Sequence, residues 1–438
     1  MTDRQALFVV AGATLLLGAS IGLALRGVEP VATWLYQAAW YPTIALMAAL
    51  VARREGRDPL TANPLHALSL FAWSAVFWFF FELLNWRLRD WYYVNVPADR
   101  LGRWVGISLA FATVLPAIFL AARVLNSWGV LTRVRTAPLR VTRGGLRLTS
   151  FAGAVFLVLP LLWPKWFFPL VWGATTLLAE PALYLRERRW SLLGDLERGD
   201  AGRILRLLAG GAAIGLLWEL FNSVARSRWI YTVPGLDRLK VFEMPVLGFL
   251  GFPVFALECW SVFHLLACFG ISTPEEPTAQ PVRIRRKVIT AAAGVAFAVF
   301  VLAGMERFTI SSFIPQLAGV PGLPASVAFR LAAQGETPFA LAAESAGDVA
   351  RRAGVAVGEA LPWIEAARLV TLRGIGTVNA TRLARLGIVS LAGLAVQDPD
   401  TLAARLRSLD GADRSRQVTA AETRVWVSAA EAAVGRTE

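Results

Sequence analysis

The residues of this chain with the clearest capacity for chemistry lie at the end of one apolar run, Trp218 to Pro234, WELFNSVARSRWIYTVP. Glu219 precedes Asn222 by three positions and Asn222 precedes Arg226 by four, so on a continuous helix the acid, amide and guanidinium share a face. At the edge of an apolar environment such a set can satisfy itself as a polar network or hold the headgroup of an amphiphile. The next apolar stretch, FEMPVLGFLGFPVFALECWSVFH from Phe242, opens on Glu243 and carries Glu258 and His264 well inside. Ionisable groups within membrane helices cost about 2.5–3.5 kcal/mol each at mid-bilayer on insertion scales, so each needs a reason. Glu219, Glu243 and Glu258 are the candidates for a buried acid catalyst. Asn222, Arg226, Arg228, Trp229, Tyr231 and His264 are the candidates for ligand contacts, although a packed polar residue is the plainer reading of His264 alone. Gly248, Gly251 and Pro253 predict a break in this segment, which a membrane tolerates only where protein or a cavity surrounds it.

The motif occurs twice. Phe81 to Pro97, FELLNWRLRDWYYVNVP, aligns with it without a gap, pairing Glu82 with Glu219, Asn85 with Asn222, Arg89 with Arg226 and Pro97 with Pro234; six of seventeen positions are identical, too many for unrelated segments. Glu and Asn at helix ends often cap or bridge neighbouring helices, and that structural role is the expectation for Glu82 and Asn85. Trp91, Tyr92 and Tyr93 in one copy, and Trp229 and Tyr231 in the other, suit the headgroup level of a bilayer. The first copy has Ala121 opposite Glu258, so the second copy is the one expected to hold a site.

The elements that must position these residues are membrane helices. Of 438 residues 56% are hydrophobic and 17% charged, mean hydropathy is +0.53, and the apolar residues fall in blocks long enough to span. Spans are predicted over 6–25, 34–52, 67–84, 104–122, two within 151–185 (broken at Trp163-Pro-Lys-Trp166), 204–221, 246–268 and 289–305. The first could be a signal peptide, but its length favours a retained helix. The formal charge of +13 suggests nucleic acid until its distribution is read. Residues 1–308 hold 31 basic and 19 acidic side chains, against 13 and 12 in 309–438, so the excess sits between spans. With the N-terminus inside, 20 of the 31 fall on the inner side, as the positive-inside rule requires, and both motif copies and the C-terminal tail lie outside. The two cysteines, Cys259 and Cys268, lie half a turn out of phase and offer no disulfide framework. With two histidines in the chain, neither a metal site nor a cofactor is expected.

The expected fold is therefore all-α: a polytopic membrane helical bundle of about nine transmembrane helices, built as two parallel four-helix repeats, plus a small soluble helical domain. The boundaries are 1–148 and 149–272 for the repeats, 273–308 for a basic loop and ninth helix, 309–320 for a linker and 321–438 for the soluble domain. Parallel repeats place sites at their interface.

In that domain LRGIGTVNATRLARLGIVSLAGLA, Leu372 to Ala395, resembles a helix-hairpin-helix motif with Gly374-Ile375-Gly376 as its turn. RLAAQGETPFALAAESAGDVARRAG from Arg330 resembles a degenerate earlier copy, since Gly335 follows Arg330 as Gly387 follows Arg382. The turn amides could cradle a phosphate, yet a near-neutral domain without a lysine argues against nucleic acid. The wording W-E-x-F-N, R-W-x-Y-x-x-P and F-E-M-P-x-L-G-F-x-G-F-P, with FFPLVWGATTLLAEPALYL from Phe167, resembles a group of uncharacterised bacterial multi-pass membrane proteins. A fainter likeness is to the membrane-embedded carotenoid (lycopene) cyclases, from whose paired acidic motif this chain departs because Cys259 follows Glu258.

Three functions are consistent with these features, all at a bacterial inner membrane with the C-terminal domain on the periplasmic side. The first is binding or moving a membrane lipid or amphiphile between the repeats near the outer leaflet. The second is an enzyme acting on an isoprenoid or lipid through a buried glutamic acid. The third is a scaffold whose tail recruits a protein partner.

Overall fold

The computed structural model describes residues 2–233, 239–276, 284–410 and 417–435. Pro234, which the repeat alignment includes, and residues 277–283 of the basic loop lie outside the described residues. The chain is predominantly helical and divides into two compact units. One comprises Met1–Leu88, Trp104–Arg226 and Arg238–Gly304; the other comprises Arg89–Arg103, Ser227–Asp237 and Met305–Glu438.

The first unit is a helical bundle. Its elements are α1 (Asp3–Leu25), α2 (Leu35–Glu55), α3 (Pro64–Leu88), α4 (Arg100–Ala112, from Trp104 onward), α5 (Val114–Ser127), α6 (Arg143–Leu162), α7 (Pro164–Phe167), α8 (Val171–Arg186), α9 (Leu192–Glu197), α10 (Gly202–Val224), α11 (Gly251–Cys268) and α12 (Ile284–Phe308). Among the described residues eight helices are long and apolar enough to cross a membrane. The ninth expected span, the second within 151–185, is α8. It has 16 residues and starts at a break, with Trp172 and Gly173 outside helical angles. Trp163-Pro-Lys-Trp166 does turn the chain, and α6 packs back on α8. The break expected near Gly248 is a 3-10 turn, Val246–Leu250, ahead of α11.

The helices pack in a repeating pattern. α1 lies on α2 as α6 lies on α8; α2 lies on α5 as α8 lies on α11; α3 lies on α5 as α10 lies on α11. Contacts between the two sets are reciprocal, α10 with α5 and α3 with α11. Small residues allow the close approach: a Cβ on Gly210 would come 3.0 Å from the Ala122 amide on α5, and one on Gly215 would come 2.2 Å from the Phe252 ring on α11.

The second unit joins three stretches of chain around a small sheet. Strand β1 (Trp91–Val94) pairs antiparallel with β2 (Arg228–Tyr231), in the register Trp91↔Tyr231, Tyr92↔Ile230, Tyr93↔Trp229 and Val94↔Arg228. Residues 309–314, expected as part of a linker, run parallel to β1: Tyr93 N donates to Thr309 O (2.8 Å), Ser311 N to Tyr93 O (2.7 Å), Val96 N to Ser312 O (3.1 Å) and Ile314 N to Val96 O (3.0 Å). The Arg103 guanidinium, 4% exposed, grips Glu306 through Nε (2.9 Å) and Nη2 (2.7 and 2.9 Å), and its Nη1 donates to the carbonyls of Pro97 and Ala98.

The tail supplies eight short helices, α13 (Ala325–Ala333), α14 (Pro338–Ala343), α15 (Ala346–Ala353), α16 (Val357–Thr371), α17 (Gly376–Arg385), α18 (Leu391–Ala395), α19 (Pro399–Asp410) and α20 (Ala420–Val434). Thr337, Ser345, Ser390 and Thr419 cap four of them, each side chain accepting from an amide three residues on. α16 serves two cores: Trp363, Ile364 and Ala367 join Leu331 and Leu341, while Leu369 and Val370 join Leu383, Leu402 and Trp426. Gly335 and Gly387, matched by their spacing from an arginine, have φ of +80° and +79°. Each closes a helix in the same way, with Glu336 N donating to Leu331 O and Ile388 N to Leu383 O.

Candidate functional site

Glu219 and Asn222 lie in the last two turns of α10, and Glu82 and Asn85 hold the same places on α3; all four are fully buried. The arginines of the motif do not complete a helical face. α10 ends at Val224, and Arg226 lies past the end, its amide donating to Ala32 O (2.9 Å). Its guanidinium pairs with Glu29, whose carboxylate also accepts from the amide and hydroxyl of Thr33, and reaches Gly27 O (3.4 Å). α3 ends at Leu88, and Arg89 turns the chain toward β1 with φ of +57°. Acid and amide therefore stay together in each copy, whereas Arg226 fastens the α1–α2 connection.

Glu243 does not open a helix either. It sits with Phe242, at φ +57°, in the tight turn between β3 (Lys240–Val241) and β4 (Met244–Pro245), ahead of the 3-10 turn. The Phe-Glu-Met-Pro wording carries a hairpin, which hydrophobicity alone cannot distinguish from the start of a helix. Arg228, Trp229 and Tyr231 are β2 residues. Across from them Trp91, Tyr92 and Tyr93 are buried, so the aromatic residues of the two copies meet as a strand pair.

The ladder carries information about the two motif copies. An offset of 137 takes Glu82 to Glu219. The same offset turns the pair Trp91↔Tyr231 into Val94↔Arg228, and Tyr92↔Ile230 into Tyr93↔Trp229. Each rung maps onto another rung, which is the behaviour of an isologous interface with a two-fold axis through its middle.

Glu258, fully buried on α11, has a defined role. Its Oε1 accepts from the amides of Gly173 (2.7 Å) and Thr175 (3.0 Å), at the broken start of α8. Gly173 has φ of +106°, a conformation that favours glycine, and it presents its amide from that position. A carboxyl oxygen there satisfies donors that no preceding turn can satisfy. Glu180 does related work: it accepts from Ser191 Oγ (2.7 Å), Ser261 Oγ (2.7 Å) and Leu193 N (3.1 Å), tying α8, α9 and α11 together. His264 stacks on Trp260 with centroids 3.9 Å apart, and its Nδ1 lies 2.9 Å from Trp260 O.

An aromatic layer lies between α3 and the helices α8, α10 and α11. Trp78 meets Trp218 at 5.0 Å, Phe77 stacks on Phe255 at 5.9 Å and Phe81 on Trp172 at 5.2 Å. Trp78 Nε1 donates to Glu82 (3.2 Å), so the acid of the first copy is tied to this layer. The Tyr36 hydroxyl donates to Trp218 O (2.9 Å) beside Glu219.

Two polar features have no counterpart in the sequence reading. Asp90, two residues past α3, is buried, and that burial pushes its carboxyl up to about 7. The Arg103–Glu306 pair is the other; a glutamate at the end of the apolar run 289–305 was a usable signal, but its partner 203 positions away was not. Gly374 and Gly376, at φ of +69° and +68°, form the turn between α16 and α17, and both are buried. Among the described residues no group of three or more His, Cys, Asp or Glu side chains could hold a metal ion.

Residues 336–433 match a family described as a domain of unknown function (DUF4332), which takes in most of the tail. No curated protein and no solved structure matches the chain at a significant level.

Proposed function

We propose that the chain is a multi-pass protein of a bacterial inner membrane that acts as a scaffold, holding its helical tail in a fixed setting for a protein partner on the periplasmic side. The observation that carries this reading is the composition of the second compact unit. The stretches after α3, α10 and α12 fold together with the tail as one body. The membrane setting rests on the long apolar helices, on exposed apolar side chains such as Phe8, Leu16, Phe151 and Val295, and on exposed Trp128, Trp163 and Trp166 at helix ends. The sidedness rests on the arginine count. The resemblance of the tail to a tandem helix-hairpin-helix domain is supported by the matching closures at Gly335 and Gly387.

Catalysis has weaker support, because Glu258 caps a broken helix and Glu243 lies in a hairpin turn. Binding of a lipid or amphiphile between the repeats is the second reading, supported by the aromatic layer that Trp78 and Trp218 form next to Glu82 and Glu219. Complementation of a deletion strain under envelope stress separates these readings. The scaffold requires that removal of residues 321–438 abolish rescue while Glu219→Gln with Glu243→Gln leaves it intact. Loss of rescue in the glutamine variant, with a lipid co-purifying with the wild-type chain in native mass spectrometry, would favour the second reading.

A further inference from the structure

We infer that the glycine turn of the tail is an internal docking element whose partner is the chain's own sheet, so that tail docking and the pairing of β1 with β2 are one coupled equilibrium. A Gly-x-Gly turn whose amides face solvent can cradle a phosphate. Here Gly374, Ile375 and Gly376 are all buried. A Cβ on Gly374 would come 2.2 Å from the Val94 Cβ, and one on Gly376 would come 2.4 Å from the Ser312 Cβ. The glycines are thus needed for close approach to β1 and to the strand-like segment beside it. The same region is fixed again by the Ser312 hydroxyl, which accepts from Asn95 N at 3.0 Å. From another direction Val425 of α20 packs on Tyr92, Val94 and Ile230.

The consequence follows from size. A two-stranded ribbon of four residues each is marginal in water, and such a ribbon needs a third strand or a packed face to persist. Residues 309–314 supply the strand, and the tail supplies the face. β1 begins three residues after α3 and β2 four residues after α10, so the ladder ties together the ends of the two motif helices. Opening the ladder removes the surface on which the turn rests and releases it. By reciprocity, a ligand that displaces the turn from Val94 loosens the pairing to the same degree. This coupling goes beyond the scaffold reading and holds whether or not the tail has a partner.

Hydrogen exchange on the full chain in nanodiscs tests it, comparing wild type with Gly374→Ala and, on an independent element, Val425→Ser. Both variants should raise exchange across 91–96 and 228–231 by at least roughly tenfold, while peptides holding Leu383 and Trp426 keep their protection. Unchanged strand exchange in both variants overturns the coupling. So does strand protection that survives in a variant whose tail core has lost its own.

Discussion

Replacing Glu258 distinguishes a structural acid from a chemical one. In Glu258→Ala the amides of Gly173 and Thr175 lose their acceptor in a place that no solvent reaches. Each buried donor left unmade costs about 1–3 kcal/mol, which sets the loss at roughly 2–6 kcal/mol before any cavity is counted. Glu258→Gln keeps a carbonyl oxygen able to accept both bonds, so its loss should stay near 1 kcal/mol, the net worth of one ordinary hydrogen bond. The assay is the half-life of the purified full chain at elevated temperature, read by size exclusion, because the durability of a large multi-unit chain is governed by its unfolding rate. The alanine variant should inactivate many times faster than wild type and the glutamine variant close to it. Two results refute the reasoning: an alanine variant as durable as wild type, or a glutamine variant as fragile as alanine.

Arg103→Ala removes the fork on Glu306 and the donor to two carbonyls inside the second unit, and losing such charge-assisted bonds costs about 1.5–3 kcal/mol; Arg103→Lys should recover only part of it, because a lysine cannot reproduce the fork on both carboxylate oxygens, and protease sensitivity of the tail in the full chain reports both. Asp90 gives a pH dependence. Its folded value, raised to about 7 by burial, lies above the ordinary 3.8, so the wild type holds its full stability below about pH 4 and loses it as pH rises toward 7. Asp90→Asn, which cannot ionise, should therefore match wild type near pH 4 and exceed it above pH 7, by at most about 4 kcal/mol; parallel stability curves for the two proteins would refute this.

The parts of the fold that were legible in the sequence are the local ones. Apolar runs mark the long helices to within a few residues, Trp163-Pro-Lys-Trp166 marks a helical turn, and the glycines at 335 and 387 mark two matching closures. What stayed hidden depends on distance along the chain. Nothing periodic marks Glu258 as the acceptor for an amide 85 positions away, and nothing marks Trp91 as the partner of Tyr231. The end of α10 at Val224 was hidden for another reason. Neither glycine nor proline stands at Ala225 or Arg226, so the helical face extrapolated through Arg226 although the backbone had already left it.

The comparison of copies also changes what an asymmetry means. The second copy drew attention because it has Glu258 where the first has Ala121. Ala121 is on α5, which packs on α2, and Glu258 is on α11, which packs on α8. α2 runs from Leu35 to Glu55 without the non-helical angles that interrupt α8 at Trp172 and Gly173. α8 starts at a break, and its exposed donors require an acceptor from a neighbour. The acid in one copy and the alanine in the other thus follow from which partner helix is broken, with no reaction needed to account for either. A functional asymmetry must then be sought in the break itself: Gly173→Ala is strained at φ of +106° and should destabilise the chain, and Glu258→Ala added to it should cost less than the sum of the two single losses because both act on one contact.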